Sequence, residues 1–127
     1  MESVTGKCHC GKNNFTVSGE PEFQFVCCCN SCRHLNGGGH LCGVMFDESN
    51  FTPAENAKTY SYAGGSGEPI LLHFCPDCAT HLYGLPTKHP GKVVIKVNTL
   101  GDYPFAPQER IFSESAFKWD APISDSH

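Results

Sequence analysis

The sequence predicts a mainly β protein that folds as one domain. Short runs of β-branched and aromatic residues are separated by 13 Gly and 9 Pro residues, which are spread along the chain. No window of about a dozen residues shows the 3.6-residue periodicity of an amphipathic helix. Nine cysteines in 127 residues indicate that metal sites supplement a modest hydrophobic core.

Apolar residues that alternate with polar ones predict the strands. The first strand spans residues 14–18, and the second spans 22–26 and leads directly into a cluster of cysteines. The remaining strands are predicted at 42–46, 59–62, 70–74, 81–85, 93–97 and 110–113.

One helical turn is expected after Asn30 or Ser31, either of which could cap it, and glycines 37–39 should end it. The last residues, 122–127, have the composition of a polar tail. A single domain is therefore predicted over residues 1–121.

Charge and composition exclude several functional classes. With 9 Lys and Arg against 13 Asp and Glu, the net charge is −4, which disfavours nucleic-acid binding. No apolar run approaches the length that spans a membrane, and residues 1–7 lack the apolar core of a secretory signal. An odd number of cysteines fits a disulfide framework badly, so we expect a cytoplasmic protein with reduced thiols. Nothing in the sequence indicates an oligomeric state.

Two cysteine pairs lie far apart in the chain and have spacings typical of metal ligands. The first is Cys8 and Cys10, and the second is Cys75 and Cys78. A Cys-x-x-Cys turn lets two thiolates converge on one ion, and an extended Cys-x-Cys places both side chains on one face. The two pairs together predict a closed four-sulfur zinc site of the structural type. Redox dithiols or unligated core cysteines are the alternative.

A third group, Cys27, Cys29 and Cys32, has a spacing that lets three side chains face one ion while Cys28 points away. Three protein ligands leave one position of a tetrahedral zinc open, which distinguishes catalytic from structural zinc. The alternative is a second structural site closed by Cys42, by a histidine or by a neighbouring chain. Cys28 and Cys42 are themselves expected to be small buried apolar residues.

These motifs, taken together with the carboxyl-terminal third, resemble one protein family. The segments that carry the resemblance are residues 6–11 (GKCHCG), the Cys27-x-Cys29-x-x-Cys32-Arg33 motif, residues 74–78 (FCPDC) with Thr80 and Leu82, residues 97–102 (VNTLGD) and residues 110–115 (RIFSES) followed by Trp119. The family that they resemble is the glutathione-dependent formaldehyde-activating enzymes, which also include centromere protein V. The resemblance covers nearly the whole chain.

The resemblance implies a β-tent of packed antiparallel sheets with zinc-binding cysteine knuckles. It also implies a structural four-cysteine zinc and a second zinc, on three cysteines, whose open position in a substrate cleft receives a thiol. The activity that names the family is condensation of glutathione with formaldehyde to S-hydroxymethylglutathione, a carbon–sulfur lyase reaction in reverse. We therefore expect two Zn²⁺ ions per chain, with glutathione or another small-molecule thiol, or a thiol adduct, as substrate.

The chain departs from the common family pattern at four positions. Cys28 and Arg110 stand where many members have histidine, Ala79 replaces a glycine, and Ala116 replaces a lysine. None of these positions is among the seven cysteines of the two predicted sites. The departures therefore bear on the substrate and not on the metal.

A glutathione-like substrate needs cationic partners for its carboxylates. Arg33, directly after the last cysteine of the predicted cleft, is the first candidate, and Arg110 and Lys118 are further ones. Trp119 is a candidate wall of the cleft, although a lone Trp more commonly packs in a core or at its edge. For the three cations, the alternative is an ordinary solvated surface charge.

Two glycine-rich segments, 37–39 and 64–67, lack the lysine and the strand–helix context of a phosphate-binding loop. They are interpreted as flexible loops. A position over the predicted cleft is one role open to them.

The predicted three-cysteine site favours thiol chemistry. Three thiolates leave a bound Zn²⁺ with a net charge near −1, so the site is suited to holding a thiolate for an electrophilic carbon. We therefore expect a zinc-dependent carbon–sulfur lyase or synthase. One alternative is a non-catalytic zinc module that binds a protein partner. Another is a redox or metal-buffering protein that uses the thiols of residues 27–29 and 32.

Overall fold

The computed structural model describes residues 2–120. These residues form ten β-strands, one α-helix and three short 3₁₀ helices. The strands are β1 (Ser3–Lys7), β2 (Asn14–Ser18), β3 (Phe23–Cys27), β4 (Leu41–Asp47), β5 (Phe51–Thr52), β6 (Lys58–Ala63), β7 (Pro69–Phe74), β8 (His81–Pro86), β9 (Lys92–Lys96) and β10 (Glu109–Ile111). The helix α1 spans Asn30–Leu35, and the 3₁₀ helices lie at Glu48–Asn50, Val97–Leu100 and Ser113–Ser115.

The strands form two sheets. The smaller sheet has the order β1-β2-β5, and the larger has the order β10-β3-β4-β9-β8-β7-β6. Neighbouring strands are antiparallel except β10 and β3, which are parallel. A parallel pair needs a long connection, which the six strands between β3 and β10 supply. The predicted mainly β class is confirmed, and the β10–β3 pair is its one departure from antiparallel pairing within residues 2–120.

All eight strands predicted from alternation are present, with ends that differ by at most two residues. The sequence pattern does not predict β1 or β5. In β1 the only buried residue is Gly6, because the ring of Phe15 occupies the space that a side chain would fill there. An edge strand of this kind has no apolar alternation to detect.

The helix forms where it is predicted, but its N-cap is Cys29 and not Asn30 or Ser31. The backbone of Cys29 is extended (φ −63°, ψ 164°), and its sulfur accepts a hydrogen bond from the Cys32 amide at 3.5 Å. The helix ends before Asn36, whose amide donates to the Cys32 carbonyl at 3.1 Å. Capping by sulfur thus places two of the three clustered cysteines on the first turn of α1.

An aromatic cluster joins the two sheets. The rings of Phe15 and Phe51, from the smaller sheet, lie 5.2 Å and 4.6 Å from the ring of Tyr83 in β8, both edge-on. The Tyr83 hydroxyl accepts a hydrogen bond from the Ala54 amide at 3.1 Å. A second, smaller core surrounds the three-cysteine group and includes Phe25 and Leu41. The site described below therefore lies against a packed apolar wall.

The polar tail predicted at 122–127 lies outside the described residues, and the domain boundary at residue 121 stays a prediction. Within residues 2–120, no helix is long and apolar enough to cross a membrane. None of the nine cysteines, all of which the structure describes, forms a disulfide.

Candidate metal centres and the cavity beside them

Four cysteine sulfurs from two distant parts of the chain meet in one cluster. Cys8 and Cys10 follow β1, Cys75 and Cys78 lie in the turn between β7 and β8, and the four Sγ atoms lie within 4.8 Å of one another. The Sγ atoms of Cys8 and Cys10 are 3.5 Å apart, and those of Cys10 and Cys75 are 3.7 Å apart. Tetrahedral zinc with Zn–S bonds of about 2.3 Å separates its sulfurs by about 3.8 Å. The four-cysteine cluster could therefore hold a zinc ion with little movement.

Each half of the four-cysteine cluster is a tight turn. The Gly11 amide donates to the Cys8 carbonyl at 3.2 Å, and the Ala79 amide donates to the Cys75 carbonyl at 2.8 Å. Both turns end in the left-handed region, with φ +83° at Gly11 and φ +66° at Ala79. Glycine adopts this region freely, whereas alanine is strained there. The family departure at Ala79 thus falls on a position whose backbone favours glycine.

Hydrogen bonds link the two turns and favour thiolate sulfurs. The Thr80 hydroxyl lies 3.2 Å from Cys78 Sγ and donates to it, which lowers the pKa of Cys78 to about 5. The same Thr80 oxygen accepts a hydrogen bond from the His9 amide at 3.1 Å. The Asn13 amide donates to Cys8 Sγ at 3.3 Å. Because metal ligation requires deprotonated thiols, these donors prepare the cluster to bind a cation.

The second cluster consists of Cys27, Cys29 and Cys32. Cys27 ends β3, Cys29 caps α1 and Cys32 lies in its first turn, and the three buried Sγ atoms are within 4.8 Å of one another. No fourth Cys, His, Asp or Glu within residues 2–120 completes this group. Cys28 is fully buried outside it. The three-cysteine cluster could therefore hold a metal ion with one ligand position left to another molecule.

The three thiols share protons unequally. Hydrogen bonds from the Cys27 and Cys32 thiols lower the pKa of Cys29 to about 2. Hydrogen bonding to Cys29 in turn raises the pKa of Cys27 to about 11, and the pKa of Cys32 is raised by its Cys27 and Cys29 neighbours. A single cation among the three sulfurs would remove this conflict, because it stabilises all three thiolates at once.

The three-cysteine cluster lines a cavity of about 630 Å³, which is within the range of small-molecule sites. Apolar side chains form much of the inner wall, including Phe25, Leu41, Val94 and Ile111. The acidic residues of the wall, Glu68, Glu109 and Glu114, are exposed. The four-cysteine cluster does not line this cavity. A small molecule in the cavity could therefore reach the three-cysteine cluster but not the four-cysteine cluster.

The glycine-rich segment 64–67 reaches the cavity. Gly64, Gly65 and Ser66 contribute to its wall, and a Cβ at Gly65 would lie 2.6 Å from ring carbons of Phe112 and 3.0 Å from the Cβ of Cys29. Segment 37–39 does not line the cavity. Of the two glycine-rich segments, only 64–67 therefore lies beside the cavity, where both were considered as loops over the cleft.

The four residues expected to bind substrate lie in different places. Arg110 is one of the residues of the cavity wall. Its guanidinium donates to Asp120, which is not among the wall residues, at 3.0 Å to the carbonyl and 3.3 Å to the carboxylate. The Arg33 guanidinium lies over the ring of Phe117, 4.6 Å from its centre. Trp119, 64% exposed, stacks on the same ring at 4.9 Å.

Arg33, Lys118 and Trp119 are absent from the described wall of the cavity, and Lys118 is exposed. Sequence adjacency to Cys32 suggested Arg33, but on a helix the next residue points about 100° away. Of the four candidates, Arg110 is therefore the one that borders the cavity, and its guanidinium is held by Asp120.

Sequence reasoning missed Lys96. This residue ends β9, is 2% exposed and lines the cavity together with the three cysteines. Its Nζ has no hydrogen-bond partner among the described residues. The available signal was strand alternation, since Lys96 shares a strand face with Val94, which also lines the cavity.

Comparisons with known proteins support the family resemblance. The profile of the glutathione-dependent formaldehyde-activating enzymes matches residues 3–115. A Rhodobacter sphaeroides protein, whose crystal structure was determined as a Northeast Structural Genomics target, is 22% identical with a TM-score of 0.59. That match covers 78% of this chain and 89% of the other, and it shows the fold alone. No curated protein matches the chain. The chain belongs to the glutathione-dependent formaldehyde-activating enzyme family.

Proposed function

We propose that this protein is a zinc-dependent carbon–sulfur lyase or synthase that acts on glutathione or a related thiol. One observation carries the proposal: the three-cysteine cluster is incomplete and lines a cavity, whereas the four-cysteine cluster is complete and does not. The family name supports a thiol and a reactive carbonyl compound as the substrate classes. The nine unpaired cysteines are consistent with a cytoplasmic protein.

We propose zinc at both clusters, because a set of only sulfur donors suits this metal. Within each cluster, the sulfurs are close enough together to bind one ion. Cys8, Cys10, Cys75 and Cys78 would hold the structural ion, and Cys27, Cys29 and Cys32 would hold the second. When bound there, zinc favours the deprotonated form of a sulfur ligand in its fourth position.

The residues around the cavity would position the substrate and limit its solvation. The apolar wall around Phe25 and Val94 provides few hydrogen-bond donors, so a thiolate held there keeps its nucleophilicity. In the synthetic direction the thiolate sulfur forms a bond to the carbonyl carbon. The carbonyl π electrons move to oxygen, which takes a proton from water. In the lyase direction the hydroxyl loses its proton and the thiolate leaves.

The first test is zinc per chain together with turnover. We expect two zinc equivalents in the wild-type protein, and acceleration of thiol–formaldehyde adduct formation, followed by exchange NMR with glutathione. Cys29→Ser should retain one zinc equivalent and lose the acceleration. Cys42→Ser is the matched control, because this cysteine belongs to neither cluster, and it should keep both.

A wild-type protein with only the four-cysteine zinc, or a Cys29→Ser variant with unchanged turnover, would overturn the proposal. A spectral test is independent of turnover. In cobalt-substituted protein, a millimolar thiol should shift the charge-transfer bands of the three-cysteine site in the wild type and in Cys42→Ser.

A further inference from the structure

A buried lysine lies at the inner wall of the cavity with no partner. Lys96 is 2% exposed, and its ammonium neither forms an ion pair nor donates a hydrogen bond to any described residue. An unpaired ammonium in such a place is less stable than the same group in water. A ligand that supplies a negative charge would offset this cost.

No carboxylate of the described wall pairs with Lys96. The acidic residues of the wall, Glu68, Glu109 and Glu114, are exposed and remain solvated. Burial lowers the pKa of Lys96, while the nearby thiolates of the three-cysteine cluster act in the opposite direction. A bound anion would favour the charged ammonium further.

The other cations of the wall are less suited to this role. Two lysines and one arginine line the described part of the cavity. Lys88 is exposed, and Arg110 already donates to Asp120. Lys96 is therefore the cation of the wall that is both buried and free to donate.

We propose that Lys96 is the anion-recognition residue of the cavity, and that it selects thiols carrying a carboxylate a few bonds from the sulfur. Such a ligand would place its sulfur at the three-cysteine cluster and its carboxylate on the Lys96 ammonium, because both groups line one cavity. The inference rests on the proposed thiol chemistry and narrows its substrate class to mercapto acids. Lys96 is a specificity-determining residue in this assignment, and it has no part in forming the carbon–sulfur bond.

Two thiols of equal length test this assignment. 3-Mercaptopropionate carries the carboxylate, and 3-mercaptopropanol has a hydroxymethyl group in its place. In calorimetric titrations of the zinc-loaded wild-type protein, we expect the acid to bind about 10- to 100-fold more tightly than the alcohol. This ratio corresponds to the contribution of one hydrogen bond between charged groups. Zinc per chain is measured after each titration to exclude extraction of the metal.

Lys96→Met should remove the preference for the acid and leave the affinity for the alcohol unchanged. Methionine is unbranched and only one atom shorter than lysine, and the loss of an unpaired buried charge should not lower thermal stability. Lys88→Met is the matched control, because it removes an exposed cation of the same wall and should keep the preference. Lys96→Gln serves as a second variant.

Each other outcome has a defined meaning. Equal affinities of the wild type for the two thiols would overturn the assignment without any variant. An equal loss of both affinities in Lys96→Met would also overturn it, because the lysine would then only balance the charge of the cysteine cluster. In both cases the proposed thiol chemistry would stand. Failure of the wild type to bind either thiol would instead refute the proposed function.

Discussion

Replacing Gly65 with alanine should destabilise the protein and disturb the three-cysteine cluster. The added Cβ would lie 2.6 Å from two ring carbons of Phe112 and 3.0 Å from the Cβ of Cys29. Carbon atoms in contact are normally about 3.5–4.0 Å apart, so the loop or its neighbours must move by about 1 Å. The backbone at Gly65 is not in the left-handed region, so the effect is steric.

Phe112, the residue that the added Cβ would meet, has an unusual backbone conformation. Its backbone is in the left-handed region at φ +55°, which is unusual for a bulky residue and requires support from its surroundings. Overpacking of this kind reduces the free energy of unfolding by about 1–3 kcal/mol. For a domain of this size, the expected decrease in Tm is about 3–10 °C.

Thermal unfolding of Gly65→Ala is compared with that of Gly37→Ala. Gly37 has nothing within 4 Å of its added Cβ and is also outside the left-handed region, so it is a matched control. We also expect Gly65→Ala to release the zinc of the three-cysteine site at a lower chelator concentration, because the added group presses on Cys29. Equal Tm values and equal zinc release for the two variants would refute the close approach of the 64–67 loop.

Three further predictions concern the knuckles and their surroundings. Ala79→Gly should raise the free energy of unfolding by about 0.5–1 kcal/mol in urea, because it relieves the left-handed strain at φ +66°, and a decrease would contradict this. Burial and the charge of Lys96 lower the pKa of His81, so the unfolded chain binds a proton first as the pH falls below about 6.5. Stability should therefore decrease as the pH falls from that value to the pKa of His81 in the folded protein. In urea unfolding between pH 7.5 and 5.5, His81→Gln should reduce this dependence of the midpoint on pH. An unchanged dependence would argue against the lowered pKa of His81. Cys75→Ser should lower Tm more than Cys29→Ser, because the four-cysteine cluster links the turn after β1 to the β7–β8 turn. The reverse order of Tm values would show that this cluster is not the main link between the two turns.

The cysteine groups could be predicted from the sequence because their geometry is mostly local. In an extended segment that enters a helix, local geometry places Cys27, Cys29 and Cys32 on one side of the chain. The pairing of Cys8 and Cys10 with Cys75 and Cys78 is not local. This pairing could be predicted because a tetrahedral ion needs four ligands and each pair supplies two. The structure brings the four sulfurs together.

The substrate residues could not be predicted in the same way. Arg33 follows Cys32 in sequence, yet its guanidinium packs on Phe117 outside the described cavity wall. Arg110 reaches the wall because β10 pairs in parallel with β3 after a long connection, and no local pattern encodes that pairing.

By itself, the sequence determined the mainly β class, the positions of eight strands and the two cysteine groups, because alternation and ligand spacing act over a few neighbouring residues. Only the tertiary structure decided what surrounds the three-cysteine cluster. Lys96 ends an ordinary apolar strand, and it is buried beside the thiols because β9 pairs with β4 opposite Gly43. That register depends on strands distant in sequence, so burial of a charged side chain is a property of the assembled sheet.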